Sequence, residues 1–90
     1  MNFKDFEYLI PALCDNNTLE ELYLNENNPM KDEVIDLIAK MINSNKTIHT
    51  LFLDKIGLNV ENSKPFFTAM KKNTIIHTLS INDNPEINIK

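Results

Sequence analysis

The sequence has few of the residues that several classes of protein require. Its 90 residues include one cysteine, one glycine, no tryptophan and no arginine. A single cysteine excludes an intramolecular disulfide, which fits a reducing compartment. No apolar run approaches the roughly 20 residues of a membrane helix, and the acidic, interrupted N-terminus does not resemble a signal peptide. We therefore expect a cytoplasmic location and no membrane partner.

The charge argues against a nucleic-acid-binding protein, and the scarcity of reactive groups argues against an enzyme. All nine basic residues are lysines, and the net charge is −4. Nucleic-acid-binding proteins need dense positive charge and favour arginine, so no nucleic-acid partner is expected. No Ser-His-Asp arrangement and no Gly-rich phosphate loop is present, and Cys14 and His49 are predicted on opposite faces. We therefore expect neither an enzyme nor a cofactor.

The sequence contains one seven-residue segment that occurs in three similar copies. TIHTLFL at 47–53 returns as IIHTLSI at 75–81, and a weaker copy, TLEELYL, occupies 18–24. The copies are 29 and then 28 residues apart, and five columns keep their register. Four of these columns are apolar and the fifth is asparagine: Leu13/Ile42/Met70, Leu19/Ile48/Ile76, Leu22/Leu51/Leu79, Leu24/Leu53/Ile81 and Asn16/Asn45/Asn73. Such a fixed period indicates stacked structural repeats, with the leucine columns as continuous buried rows.

The hydrophobic period changes within each repeat and predicts one helix and one strand. Alternating residues predict strands near 20–24, 49–53 and 77–81, and apolar residues at helical spacing predict helices near 3–14, 32–43 and 63–72. Ser63 is expected to cap the third helix, and Asn43 or Asn45 to close the second in a left-handed conformation. Pro11 is expected to kink or split the first helix near Glu7.

The phrases LEELYLNEN (19–27) and IHTLSINDN (76–84) resemble the L-x-x-L-x-L-x-x-N signature of leucine-rich repeats. The period, the long helix and the asparagine before each strand resemble the ribonuclease-inhibitor-like subclass. The resemblance implies an α/β fold, a short αβαβαβ solenoid with a parallel three-stranded concave sheet backed by helices, in a single domain 1–90. It also implies a protein-interaction module that binds another protein through its strand face.

The sequence departs from this signature in two places. The middle repeat has Ile56 where asparagine is expected, and Gly57 at positive φ is predicted to adapt that turn. No capping segment is visible, whereas terminal repeats need a polar closing surface. The chain is therefore expected to be a fragment of a longer solenoid, or a structural piece whose exposed repeat ends stack into homo-oligomers.

The outward residues of the strands are the predicted partner-binding site. They are Glu21, Tyr23, Asn25, Thr50, Phe52, Asp54, Thr78, Ser80 and Asn82. Tyr23 and Phe52 should be neighbours on adjacent strands and suit the anchors of an interface. The alternative is a cross-strand aromatic pair that only stabilises the sheet.

The two histidines near the strands and the distribution of charged residues each allow two interpretations. His49 and His77 are weak candidates for a metal site with Glu20 as third ligand, or surface residues copied with the repeat. Acidic residues accompany the strands whereas lysines accompany the helices, which would attract a basic partner, unless both are ordinary solvated surface. The two sets are Glu20, Glu21, Asp54 and Asp83, and Lys40, Lys64, Lys71 and Lys72.

Overall fold

The computed structural model describes residues 3–26, 30–85 and 87. Helices and strands alternate along them, as the sequence predicts. The elements are α1 (Phe3–Asp15), β1 (Glu21–Tyr23), α2 (Asp32–Ser44), β2 (Thr50–Phe52), α3 (Lys64–Lys72) and β3 (Thr78–Ser80). The predicted α/β class is confirmed, with three helices and one three-stranded parallel sheet.

The sheet has the strand order β1-β2-β3, and both pairings are parallel. Leu51 in the middle strand lies opposite Leu22 on one side and Leu79 on the other. Backbone bonds continue past the strand ends, since Leu24 N–H donates to the Phe52 carbonyl at 2.8 Å and Leu53 N–H donates to the Ser80 carbonyl at 2.8 Å. The columns of the sequence are therefore the registered partners of the sheet.

The core lies between the sheet and the helices. Leu51 and Leu53 are fully buried from the strand side, and Ile38 and Phe66 from the helix side. α2 is the central helix and packs against both α1 and α3. Burying each such side chain contributes about 1.5–3 kcal/mol. Because the middle repeat is covered on both sides, it contributes most of the fully buried side chains.

The predicted continuous buried row of Leu22, Leu51 and Leu79 is wrong at Leu79. Leu51 is 0% exposed and Leu22 is half-buried, but Leu79 is 36% exposed. β3 pairs along one side only in the described part of the chain. No following helix–strand unit among the described residues covers Leu79, which leaves an apolar side chain at this end of the sheet.

The helices meet the sequence expectations only in part: Ser63 is at the N-cap position of α3 as predicted, but the expected cap bond is absent. Ser63 is buried in a right-handed helical conformation and makes no side-chain cap bond. Asn59 and Asn62 instead exchange reciprocal bonds of 2.8 Å between backbone N–H and side-chain Oδ1, which is the geometry of a capping box. Asn45 is extended rather than left-handed, at φ −73°, and α1 is not split at Pro11, since it spans Phe3–Asp15.

Asn84 satisfies the backbone of the turn in the middle repeat, where Ile56 stands in place of the expected asparagine. Its Oδ1 accepts the backbone N–H groups of Ile56, Gly57 and Leu58 at 3.0, 3.0 and 3.1 Å. Gly57 has φ 87°, as predicted, and Ile56 turns inward and is fully buried. The amide of the third repeat thus stabilises the turn of the second. The corresponding residue of the first repeat, Asn27, lies outside the described residues.

Candidate functional site

The strand face is the side of the sheet that points away from the helices, together with the turn residues that follow each strand. It holds all nine predicted partner-binding residues. Exposed ones are Glu21, Tyr23, Thr78 and Asn82; half-buried ones are Asn25, Phe52, Asp54 and Ser80; Thr50 is buried. The parallel register places equivalent residues of the three repeats side by side.

Thr50 offers little surface to a partner, contrary to its place in the predicted site. Its side chain is only 7% exposed, because it lies on the middle strand with Glu21 and Thr78 in register on either side. Its Oγ1 is also within 2.9 Å of His49 Nδ1. Thr50 therefore supports the neighbouring side chains of the strand face.

Tyr23 and Phe52 form an aromatic pair across β1 and β2. Their ring centroids are 4.7 Å apart and their planes are tilted by 42°. Tyr23 is 54% exposed, and its hydroxyl donates to Glu21 Oε1 at 2.9 Å. The ring is thus held by Phe52 on one side and by a carboxylate at its hydroxyl, while much of its surface remains open to a partner.

The bond to Glu21 also raises the pKa of the Tyr23 hydroxyl above its ordinary value of 10.0. The hydrogen bond favours the protonated phenol, and partial desolvation and repulsion between two negative charges act in the same direction. Because the folded-state pKa lies above the unfolded one, the associated stability is complete below pH 10.0 and is lost as pH rises through the raised pKa.

We expect Glu21→Gln to lower the pKa of Tyr23 toward 10.0. The protein has two tyrosines, so a Tyr8→Phe background isolates Tyr23 in a tyrosinate absorbance titration. Glu7→Gln on α1 is the matched control, because it removes the same charge far from Tyr23 in sequence and should leave the titration unchanged. An unaltered pKa in Glu21→Gln would show that the bond is not maintained in solution.

The turn residues after the strands form a hydrogen-bonded ladder. Asn25 Oδ1 accepts the backbone N–H of Asp54 at 2.7 Å. Asp54 Oδ1 in turn accepts the backbone N–H of Asn82 at 2.7 Å and the hydroxyl of Ser80 at 2.5 Å. These four predicted contact residues therefore also fix one repeat to the next, so the ends of the three strands form a preorganised edge.

His49 and His77 stack on each other one residue before their strands. Their rings are 4.7 Å apart with an angle of 11°, and each Nδ1 lies about 3 Å from the hydroxyl of the following threonine. Glu20 Oε1 is 3.5 Å from His49 Nε2. The lone pairs of stacked rings lie in parallel planes and do not converge on one ion. Within the described residues, no group of three or more His, Cys, Asp or Glu is arranged to hold a metal.

The other reactive side chain, Cys14, belongs to α1 rather than to the strand face. Burial raises the pKa of its thiol, and the adjacent Asp15 raises it further, against a smaller opposing effect of Lys40. A raised pKa disfavours the thiolate, which is the nucleophilic form.

In the described part of the chain, no helix has the length and apolar character needed to cross a membrane.

Among the comparisons with known proteins, only the one with solved structures gives a match, and that match concerns the fold alone. No protein-family model matches the chain, and no curated protein matches it in sequence. Among solved structures, the chain is similar to a tropomodulin C-terminal domain from structural genomics of Caenorhabditis elegans, with a TM-score of 0.74 and 18% identity. The match covers 86% of this chain and 47% of that one, so the chain spans about half the neighbour's length. The repeated phrases and this structural similarity together give the chain a leucine-rich-repeat-like fold.

Proposed function

We propose that the chain is a protein-interaction module that binds another protein through the strand face, as the concave side of a short solenoid. The repeat period and the asparagine column favour the ribonuclease-inhibitor-like subclass. The observation that carries the proposal is the exposed pair of Tyr23 and Phe52. Aromatic residues surrounded by polar groups are typical interface hot spots.

The helices already provide the core, so this aromatic pair is not needed to fill it. Leu51 and Leu53 are buried on the opposite side of the sheet against the helices. A cross-strand aromatic pair adds about 0.2–1 kcal/mol to a sheet, less than the roughly 2 kcal/mol that defines an interface hot spot. An anchor role therefore accounts better for a tyrosine with about half of its surface in solvent.

The double variant Tyr23→Ala/Phe52→Ala should lose partner capture while retaining its circular dichroism. Loss of one hot spot costs about 2 kcal/mol or more, or roughly a thirty-fold change in affinity. The measurement is quantitative capture from a lysate of the source organism, followed by titration with the captured protein. Tyr8→Ala is the matched control, since Tyr8 is 81% exposed and lies on α1. Capture unchanged by the double variant would remove the strand face from the proposal.

Self-association is the second candidate, and the exposed Leu79 favours it. This leucine and the unpaired side of β3, as seen in the described residues, would suit a further strand. Sedimentation of the chain alone therefore accompanies the capture measurement. A mass that rises with concentration would support stacking, whereas a constant monomer mass would argue against it. The cytoplasmic location stays a prediction from the sequence.

A further inference from the structure

We propose that the strand face recognises an arginine side chain of its partner, received against the Tyr23 ring and paired with the Glu21 carboxylate. The inference rests on the proposed function, because it names the chemistry that the same surface would bind. It goes further by specifying one type of side chain and the two residues that contact it.

Tyr23 provides a fixed aromatic surface for a cation. Its ring is packed against Phe52 at 4.7 Å and tied through its hydroxyl to Glu21, yet it remains 54% exposed. A guanidinium group within about 6 Å of a ring centroid is attracted by the negative face of the ring. Since the ring is already held in place, little conformational entropy is lost when a cation binds.

Glu21 places a carboxylate at the edge of that surface. Its Oε1 accepts the Tyr23 hydroxyl, and no bond to its Oε2 is found among the described residues. Neither of the two charged contacts seen in that part of the chain, Glu61 with Lys64 and Glu20 with the His49 ring, involves Glu21. Glu21 therefore has a negative charge with no lysine partner, next to an exposed aromatic ring.

Most of the other charged residues on the strand face are also acidic, although Lys55 lies in the turn after β2. Glu20 and Asp54 flank the aromatic pair in sequence, and Asp54 is satisfied by the neutral donors of Ser80 and Asn82 rather than by a cation. The lysines of the helices α2 and α3 lie on the other layer, namely Lys40, Lys64, Lys71 and Lys72. A basic partner would thus be steered toward the strand face.

Arginine fits this arrangement better than lysine. The planar guanidinium can stack on an aromatic ring and at the same time donate to a carboxylate. Lysine has a compact, strongly hydrated charge that cannot do both with the same planar group. The neighbouring Thr50 and Thr78 carry no charge, and the rings of His49 and His77 stack on each other. His49 is already paired with Glu20.

The test is a nuclear magnetic resonance titration of the full chain with three short peptides, acetyl-Gly-Xaa-Gly-amide, in which Xaa is arginine, lysine or citrulline. Citrulline keeps the shape of arginine and lacks its charge. We expect saturable shifts of the backbone amides of 21–23 and 50–52 with the arginine peptide. Binding of the citrulline peptide should be about five-fold weaker or more, in line with exposed cation–π contacts and ion pairs.

Three variants assign the contacts. Glu21→Gln and Tyr23→Leu should each weaken arginine binding by about five-fold, whereas Glu7→Gln, which removes an equal charge from α1, should not. Equal binding of arginine and citrulline peptides, equal binding of lysine, or equal effects of Glu21→Gln and Glu7→Gln would overturn the inference. If the Tyr23/Phe52 variant still loses protein capture in that case, the proposed function stands and only the arginine assignment fails.

Discussion

Leu51→Ala should lower the free energy of unfolding by about 3–5 kcal/mol. Leu51 is fully buried in the middle strand, with Leu22 and Leu79 in register on either side. Truncating a buried leucine costs its transfer free energy and leaves a cavity. For a domain with a total stability of about 5–15 kcal/mol, this loss is severe, and urea denaturation measures it directly.

The chain contains a matched control for this substitution. Leu79→Ala removes the same atoms at the same repeat position, but from a side chain that is 36% exposed. We expect a loss of about 1 kcal/mol, because less apolar surface returns to water and little cavity forms. Equal losses at Leu51 and Leu79 would contradict the placement of β2 between two paired strands.

Asn84→Ala should cost about 3 kcal/mol or more, because one side chain serves several backbone groups. Its Oδ1 accepts three backbone N–H groups of the middle repeat, and its Nδ2 lies 3.1 Å from the Leu53 carbonyl and 2.9 Å from that of Ile81. Asn84 is itself buried. A buried donor or acceptor left without a partner costs about 1–3 kcal/mol.

Amide hydrogen exchange gives this substitution a local signature. The backbone amides of Ile56, Gly57 and Leu58 should lose protection in Asn84→Ala, because their acceptor is gone. Asn43→Ala on the exposed side of α2 is the control and should change stability by less than about 0.5 kcal/mol. Retained protection at all three amides would show that another group can replace the Asn84 oxygen.

The order of elements and the sheet register were predictable because the repeat keeps its columns. Leu22, Leu51 and Leu79 share a column in the sequence and are registered partners in the sheet. The same register makes Tyr23 and Phe52 neighbours on adjacent strands. A parallel sheet built from equal repeats has one natural alignment, so a periodic sequence determines it.

The exposure of individual side chains was less predictable, because it depends on neighbours outside the repeat. Thr50 and Thr78 occupy the same column, yet Thr50 lies between two strands and is buried while Thr78 is exposed. Asn84 could be aligned with the signature, but its bonds to the preceding repeat are long-range contacts that no local pattern specifies. The turns also share a backbone conformation that the sequence does not indicate. Glu26 and Lys55 both have positive φ, at 63° and 54°. Neither residue type favours that region.

Hydrogen exchange of the chain in complex with its captured partner tests the binding role of the strand face most directly. Amides of 20–25, 49–54 and 77–82 should gain protection on binding, with the largest gain around Tyr23 and Phe52. The exposed outer residues of α2 and α3 should exchange as they do in the free chain. Protection confined to the helices, with none on the strands, would contradict the assignment of the strand face as the binding surface.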